Sequence, residues 1–458
     1  MRIGRLIAFA VLVVGLGTYI ALYERHQPTT DERNERADKL FVGFDQAKAK
    51  KVTVTNSHGT FEFVKDKDAW VLKAPLADQA NQGAVSSLLF SLSGLKAERT
   101  LRASEVKLAD YGLEKPSLSA TVTDEGGKTF AVKLGGDLPL GNLRAAVTSG
   151  DSVYLVNKYI GSDLDKDLAG WRSDELAQVF AGDVASVTVA SASGQLVLAH
   201  AGSVWTITAP SPDLADRESA DGLIGDISSA KIKEFVDSTP DLAALGLEPR
   251  RFGVTIVKRD AKAAAITLDF GNERDAKDGK QVACKRGERV FWVDAKTVSR
   301  LSVPWQEWRS KQLVSFDSWT VSKLEIEAGA GKAALERKDG IWKAGTVEVD
   351  GDAVNGRLNA LSDLKVKAFD QAKPSGAPLG RVKLTSEGGV SVDATFYAGA
   401  ADALAVVAGR TGVFAVDAAR VPEILADPAA LAKPKPTPVP TSKPTAAAKP
   451  PATTPAKK

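Results

Sequence analysis

The 458-residue chain is 44% hydrophobic and 26% charged, a globular composition whose length suggests about three domains. Its 60 basic and 57 acidic residues leave a formal net charge of +3, which excludes the basic footprint of a nucleic-acid-binding body. The single cysteine, Cys284, excludes an intramolecular disulfide and Cys-rich zinc or iron–sulfur sites, and three histidines (His26, His58, His200) leave little for a histidine-based metal or acid/base site.

The chain opens on Arg2 and Arg5, then an uncharged apolar run from Leu6 to Tyr23. At about 1.5 Å per helical residue this run covers most of a roughly 30 Å hydrocarbon core, so residues 6–23 are predicted to form a transmembrane helix. The alternative is a cleaved signal peptide, but the run exceeds the usual apolar region of about 7–15 residues and no clean small-x-small site follows it. The positive-inside tendency keeps residues 1–5 in the cytoplasm and exports everything after the span, beginning with a linker over 24–43. At the other end, residues 433–458 hold eight Pro, six Lys and no acid. Proline fixes φ and lacks a backbone donor, so this tail is expected to be extended and disordered. Its basic charge leaves open a contact with an anionic surface.

Between these ends the sequence repeats. Trp70, Trp205 and Trp342 stand 135 and 137 positions apart, each in a strand-like run: "AWVLKAP", "VWTITAP" and "IWKAGTV". The first two runs end in Pro75 and Pro210. Upstream of each Trp lie two alternating segments around a Gly-containing turn, the pattern of a hairpin. Downstream, Val85, Leu88, Leu89, Leu92 and Leu95 fall at helical spacing, as do Leu223, Ile224 and Ile227, and then Val354, Leu358, Leu361 and Leu364. Asp78, Asp216 and Asp350 precede these faces, where an N-cap or first-turn acid is favourable.

The phrase Gly112-Leu113-Glu114 returns as Gly246-Leu247-Glu248, 134 positions on. It looks like a helix stop, with Gly taking the left-handed conformation and Pro116 or Pro249 preventing resumption. In the third copy it erodes to "SGAPLGRV". Two further hairpins follow in each copy, and two copies close on Trp171-Arg172 and Trp308-Arg309, again 137 apart. The repeats are therefore placed at 44–180, 181–315 and 316–432, each mainly antiparallel sheet with one main helix, an α+β class. A period near 135 is too long for a solenoid, so the copies are tandem domains. The repeat markers are Trp70, Pro75, Gly112, Trp171, Trp205, Pro210, Gly246, Trp308 and Trp342.

No catalytic, cofactor-binding or metal-binding constellation stands out. Asp163, Asp165 and Asp167 resemble the start of a calcium loop, but Leu168 and Asp174 stand where Gly and Glu are needed. The glycine-rich stretches, "LGGDLPLG" among them, lack phosphate-binding forms and look like hairpin turns. His58 and His200 have no acidic partner in their own segments. Cys284, between strand residues and beside Lys285 and Arg286, is expected to be a half-buried structural thiol. The repeat-locked Trp residues are expected in the core, with Trp305 and Trp308 the ones that could instead stack on a sugar.

The "W-x-L-x-x-P" strand (Trp70, Leu72, Pro75), the helix after it and the "YGLEKP" element resemble the domain of unknown function 4340 family, over roughly residues 44–432. The resemblance implies a membrane-associated bacterial envelope protein found with ABC-type transport systems related to gliding motility, and it brings no catalytic residues. The expectation is a non-enzymatic, single-pass inner-membrane accessory or scaffold with its bulk in the extracytoplasmic space. Its expected partners are the membrane and envelope proteins such as ABC transporter subunits, with no nucleic acid and no cofactor. The alternative is an envelope glycan- or lipid-binding module.

Overall fold

The computed structural model describes residues 38–426 and Leu431, apart from Leu140, Ser149 and Asp151. The apolar run 6–23, most of the linker after it and the Pro/Lys-rich tail lie outside the described residues.

Period-two alternation dictates the strands. Val52 and Val54 are buried, Thr53 between them is half-buried, and Lys51 and Thr55 on either side are exposed. The first sheet comprises β1 (Ala49–Asn56), β2 (Gly59–Asp66), β3 (Ala69–Ala74), β4 (Asp78–Gln79), β5 (Arg99–Arg102), β6 (Leu118–Asp124), β7 (Thr129–Asp137), β8 (Leu143–Val147) and β9 (Ser152–Asn157). Its spatial order is 4-3-2-1-6-7-8-9-5. The second is built from β10 (Val184–Ser191), β11 (Gly194–Ala201), β12 (Val204–Ala209), β13 (Asp213–Leu214), β14 (Ile232–Val236), β15 (Phe252–Lys258), β16 (Ile266–Ala276), β17 (Gly279–Arg286) and β18 (Arg289–Asp294). The third has β19 (Val321–Ala328), β20 (Gly331–Lys338), β21 (Ile341–Ala344), β22 (Val347–Glu348), β23 (Val366–Ala368), β24 (Pro378–Ser386), β25 (Ser391–Tyr397), β26 (Ala403–Val407) and β27 (Phe414–Val416). All three share one strand order. Tandem repetition is thus a property of the topology as well as of the sequence.

One longer helix lies in each repeat: α1 (Gln82–Ser93), then, after the short α2 (Ile160–Leu164) and α3 (Leu168–Trp171), α4 (Arg217–Ser229) and α5 (Gly351–Ser362), followed by the short α6 (Val421–Leu425). Each buries the stripe its spacing dictates: Val85, Leu88, Leu89 and Leu92 on α1, Leu223, Ile224 and Ile227 on α4, Val354, Leu358 and Leu361 on α5. Asp216 and Asp350 cap α4 and α5 through their carboxylates. In the first repeat the cap is Asn81, whose Oδ1 accepts from the Ala84 amide at 3.0 Å, and Asp78 is used elsewhere.

The α+β class expected from the sequence is corrected to a mostly β fold of three nine-stranded antiparallel sheets with few helices. Segments expected as short helices are tighter turns. Leu108–Tyr111 is a single 3-10 turn ended by Gly112 at φ 67°, and the second copy turns at Gly246 with φ 66°. The preceding transmembrane helix is also withdrawn from the fold: among the described residues no helix is long and apolar enough to cross a membrane.

The Gly-Leu-Glu turn has a seat. The Gly135-Gly136 pair lies at a register shift within β7, and Gly271-Asn272 lies at the matching shift within β16. These are bulges inside strands and not the hairpin turns expected for "LGGD". A Cβ on Gly135 would overlap the Tyr111 carbonyl oxygen, and one on Gly271 would overlap that of Leu245. Glycine is required because the turn backbone rests on the strand backbone. Leu113 and Leu247 then tuck in as buried residues.

By compactness the described residues form two units. One holds those up to Leu176 together with Lys231–Val236; the other holds Ala177–Ala230 together with those from Asp237 onward. The second unit therefore contains most of the second repeat and all of the third.

Candidate functional site

The repeat markers are structural parts. Trp70, Trp171, Trp205, Trp308 and Trp342 are all buried. Trp171 packs against Phe61 and Phe63, with ring centroids 6.2 and 5.1 Å away. Trp205 donates its indole N–H to Asp221 at 2.8 Å and stacks at 4.1 Å on His200. Pro75 and Pro210 both follow cis Ala-Pro bonds. Trp305 is half-buried and Trp319 is exposed.

The residues beside two of these tryptophans form the most distinctive chemistry of the fold. Arg172 donates its Nε–H to Asp78 Oδ2 at 2.6 Å, with both side chains almost wholly buried. Arg309 makes the matching bond to Asp213 Oδ2 at 2.5 Å. Asp78 opens β4 and Asp213 opens β13, and both carboxylates also accept from the next backbone amide. The Trp-Arg-Ser segment pairs with that edge strand. The Ser173 amide donates to Gln79 O, and the Ser310 amide to Leu214 O, both at 2.8 Å. The sheet edge is thus covered by the chain itself, and the edge strand is only two residues long.

In the second unit the pair grows into a network joining two repeats. The Arg309 guanidinium also donates to the Asp370 carboxylate, with Nη1 2.6 Å from Oδ2, and to the Thr411 carbonyl at 3.0 Å. Arg410 donates through Nε to the other oxygen of Asp213, and through its terminal nitrogens to the carbonyls of Gln312, Leu313 and Ser310. The Thr411 amide closes the junction on Pro212 O at 2.8 Å. Phe369 lies 4.3 Å below Arg309, and Phe414 lies 4.3 Å below Arg410. Burial opposes the charge on Arg309, but its hydrogen bonds to Asp370 and Asp213 win and hold its pKa above the ordinary arginine value. For Arg410 burial wins, and its pKa is lowered despite Asp213.

The third repeat lacks both ends of this pair. Val347 opens β22 where Asp78 and Asp213 open theirs. Leu431 takes the Trp position: the Asp350 amide donates to its carbonyl, just as the Asn81 and Asp216 amides donate to Trp171 and Trp308. Ala432 follows it in sequence. The Trp-Arg recurrence is plain in the sequence, whereas Asp78 stands where a helix cap is equally favourable. The available signal was that an Asp at 135-residue spacing and an Arg at 137-residue spacing vanish together in one copy.

The remaining candidates resolve into local roles. Asp163 accepts from the Ser91 hydroxyl at 2.6 Å, Asp165 from Ser57 at 3.0 Å, and Asp167 caps α3. Three carboxylates thus serve three different partners. Among the described residues no three His, Cys, Asp or Glu side chains gather as a metal site. Cys284 is fully buried and not half-buried as expected, and burial pushes its thiol pKa well above the ordinary value. His58 is exposed in its turn, while the His200 ring is half-buried.

Two of the cavities in the second unit lie beside residues discussed above. One of about 480 Å³ is lined by the turns at 201–204, 386–392 and 407–410 and the linker 313–317. The other, of about 660 Å³, lies beside Trp305, Trp308, Arg251, Arg300 and the turn 191–195.

These features define a class: a tandem-repeat, mostly β protein in which a buried ion-pair network ties the second repeat to the third. The family described as Domain of unknown function (DUF4340) matches residues 70–213 and 205–381, and the chain belongs to that family. Each matched segment opens at a Trp strand, one at Trp70 and one at Trp205. No curated protein and no solved structure matches the chain.

Proposed function

We propose that this chain is a non-enzymatic scaffold or accessory subunit of an ABC-type transport assembly at the bacterial inner membrane, with its repeats in the extracytoplasmic space. The observation that carries the reading is the buried Asp213–Arg309–Arg410 network. A protein that must hold partners at a fixed spacing needs repeats that do not swing, and a buried, fully paired network with several directional bonds sets one geometry. The family resemblance supplies the transport neighbourhood. The test is isolation of the intact protein from detergent-solubilised envelopes followed by identification of stoichiometric partners. Recovery of transporter subunits supports the scaffold, and their absence from the wild-type preparation overturns it.

A second reading is favoured by one observation. The cavity of about 660 Å³ places half-buried Trp305 next to Arg251, Arg300 and serine hydroxyls, which suits an envelope glycan. Trp305→Ala would then abolish retention on immobilised envelope polysaccharide. Equal retention of wild type and variant removes this reading.

A further inference from the structure

The cavity of about 480 Å³ is within the size range of small-molecule sites, roughly 300–1,000 Å³. Its wall is mainly apolar, with Leu214, Leu313, Phe316, Val392 and Val407 among the lining residues. Its polar groups are hydroxyls, two carboxylates and one guanidinium. Arg410, at one side, is fully engaged by Asp213 and three carbonyls. Asp317 is half-buried, and its carboxylate accepts only from the Ser203 hydroxyl, at 3.3 Å. Among the described residues no Lys, Arg or His lies within 4.0 Å of its carboxylate.

Ser386 supplies the second, independent observation. It lines the same cavity, is 5% exposed, and its hydroxyl has no hydrogen-bond partner. A buried hydroxyl without a partner is uncommon and unfavourable. The segments that carry the two groups meet beside the cavity: the Thr320 hydroxyl donates to Asp317 O at 2.8 Å, and the Glu387 amide donates to Thr320 O at 2.9 Å.

We propose that this cavity binds a small amphipathic amine, its ammonium group on Asp317, within reach of the Ser386 hydroxyl, and its apolar body against the Leu, Val and Phe wall. A protonated amine brings several donors and no acceptor, which is what an unpaired carboxylate and a hydroxyl with free lone pairs can accept. An anion is disfavoured because the one nearby arginine is already neutralised. A purely apolar molecule would leave the carboxylate uncompensated. The proposal is independent of the scaffold reading, and its failure leaves that reading untouched.

The test uses the full chain and three probes of one length: n-hexylamine, n-hexanol and n-hexanoate. Binding is followed by saturation-transfer NMR and by the shift of thermal unfolding. The expected result is hexylamine binding at least tenfold tighter than hexanol, with hexanoate not bound. Asp317→Asn is expected to erase that preference, and Val390→Trp, which fills the cavity, to remove binding altogether. Hexylamine that binds no better than hexanol to the wild-type protein, a result needing no variant, overturns the proposal. So does hexylamine binding unchanged in Val390→Trp.

Discussion

Removing the carboxylate of Asp213 tests the junction most directly. The native network holds Arg309 and Arg410 at 3% and 4% side-chain exposure, balanced by Asp213 at 1% and by Asp370 at 63%. In Asp213→Ala the two guanidiniums face only Asp370, leaving a buried net positive charge. At an effective dielectric of about 20, each lost pair is worth roughly 4 kcal/mol gross at 4 Å. The Arg410 bonds to three carbonyls persist and soften the loss. The expected net cost is about 3–5 kcal/mol, the range for breaking one partner out of a buried pair. Because the chain forms two compact units, a single unfolding midpoint is a poor assay. Amide hydrogen exchange at Thr411, whose N–H bonds to Pro212 O, reads the junction itself. A cost of about 4 kcal/mol corresponds to roughly thousandfold faster exchange there. Asp213→Leu combined with Arg410→Leu should recover much of that protection, because the surplus buried charge goes with its partner. Exchange at Thr411 within about threefold of wild type in Asp213→Ala would refute the reasoning, since breaking a buried pair costs several kcal/mol.

Three other outcomes are expected. Gly271→Ala should destabilise the second repeat by about 2–3 kcal/mol through forced displacement of the turn at Leu245, whereas Gly279→Ala, in open space at positive φ, should cost only about 1 kcal/mol, as measured by denaturant titration. Cys284 should resist thiol reagents in the native protein and react at the unfolding rate, because burial disfavours its thiolate; rapid native labelling would contradict that burial. His200 has its pKa lowered by burial and then by Arg259, so its folded value is below the unfolded 6.5. The stability linked to it is full above pH 6.5 and is lost as pH falls through the folded value. His200→Gln should flatten the stability profile below pH 6.5, and an unchanged slope would show that another group titrates there.

Much of the repeat was legible because it rests on local rules. The stripe Leu223, Ile224 and Ile227 marks a buried helix face by spacing alone. Alternation around Val52 and Val54 marks a half-buried strand. Class was harder: the residues before Gly112 carry a helix-stop signature, yet the space over the β7 bulge admits only one tight turn. Short-range chemistry cannot tell a 3-10 turn from a helix end when long-range packing sets the length. The site was less legible still. Asp78 sits where a capping residue is favourable, and nothing nearby in sequence shows that its partner is Arg172, 94 positions later. Asp317 and Ser386 line one cavity only because the linker after Trp308-Arg309 is laid against a hairpin turn of the following repeat.

The missing ion pair in the third repeat carries an evolutionary consequence. The handle by which the second repeat grips the third is the Arg of its own closing dipeptide, steadied by the Asp of its own edge strand. A copy bearing Val347 and Leu431-Ala432 has no such handle to extend. Gene duplication that placed a further copy after this one would yield beads on a string, until two substitutions, far apart in the chain and useless singly, arose together.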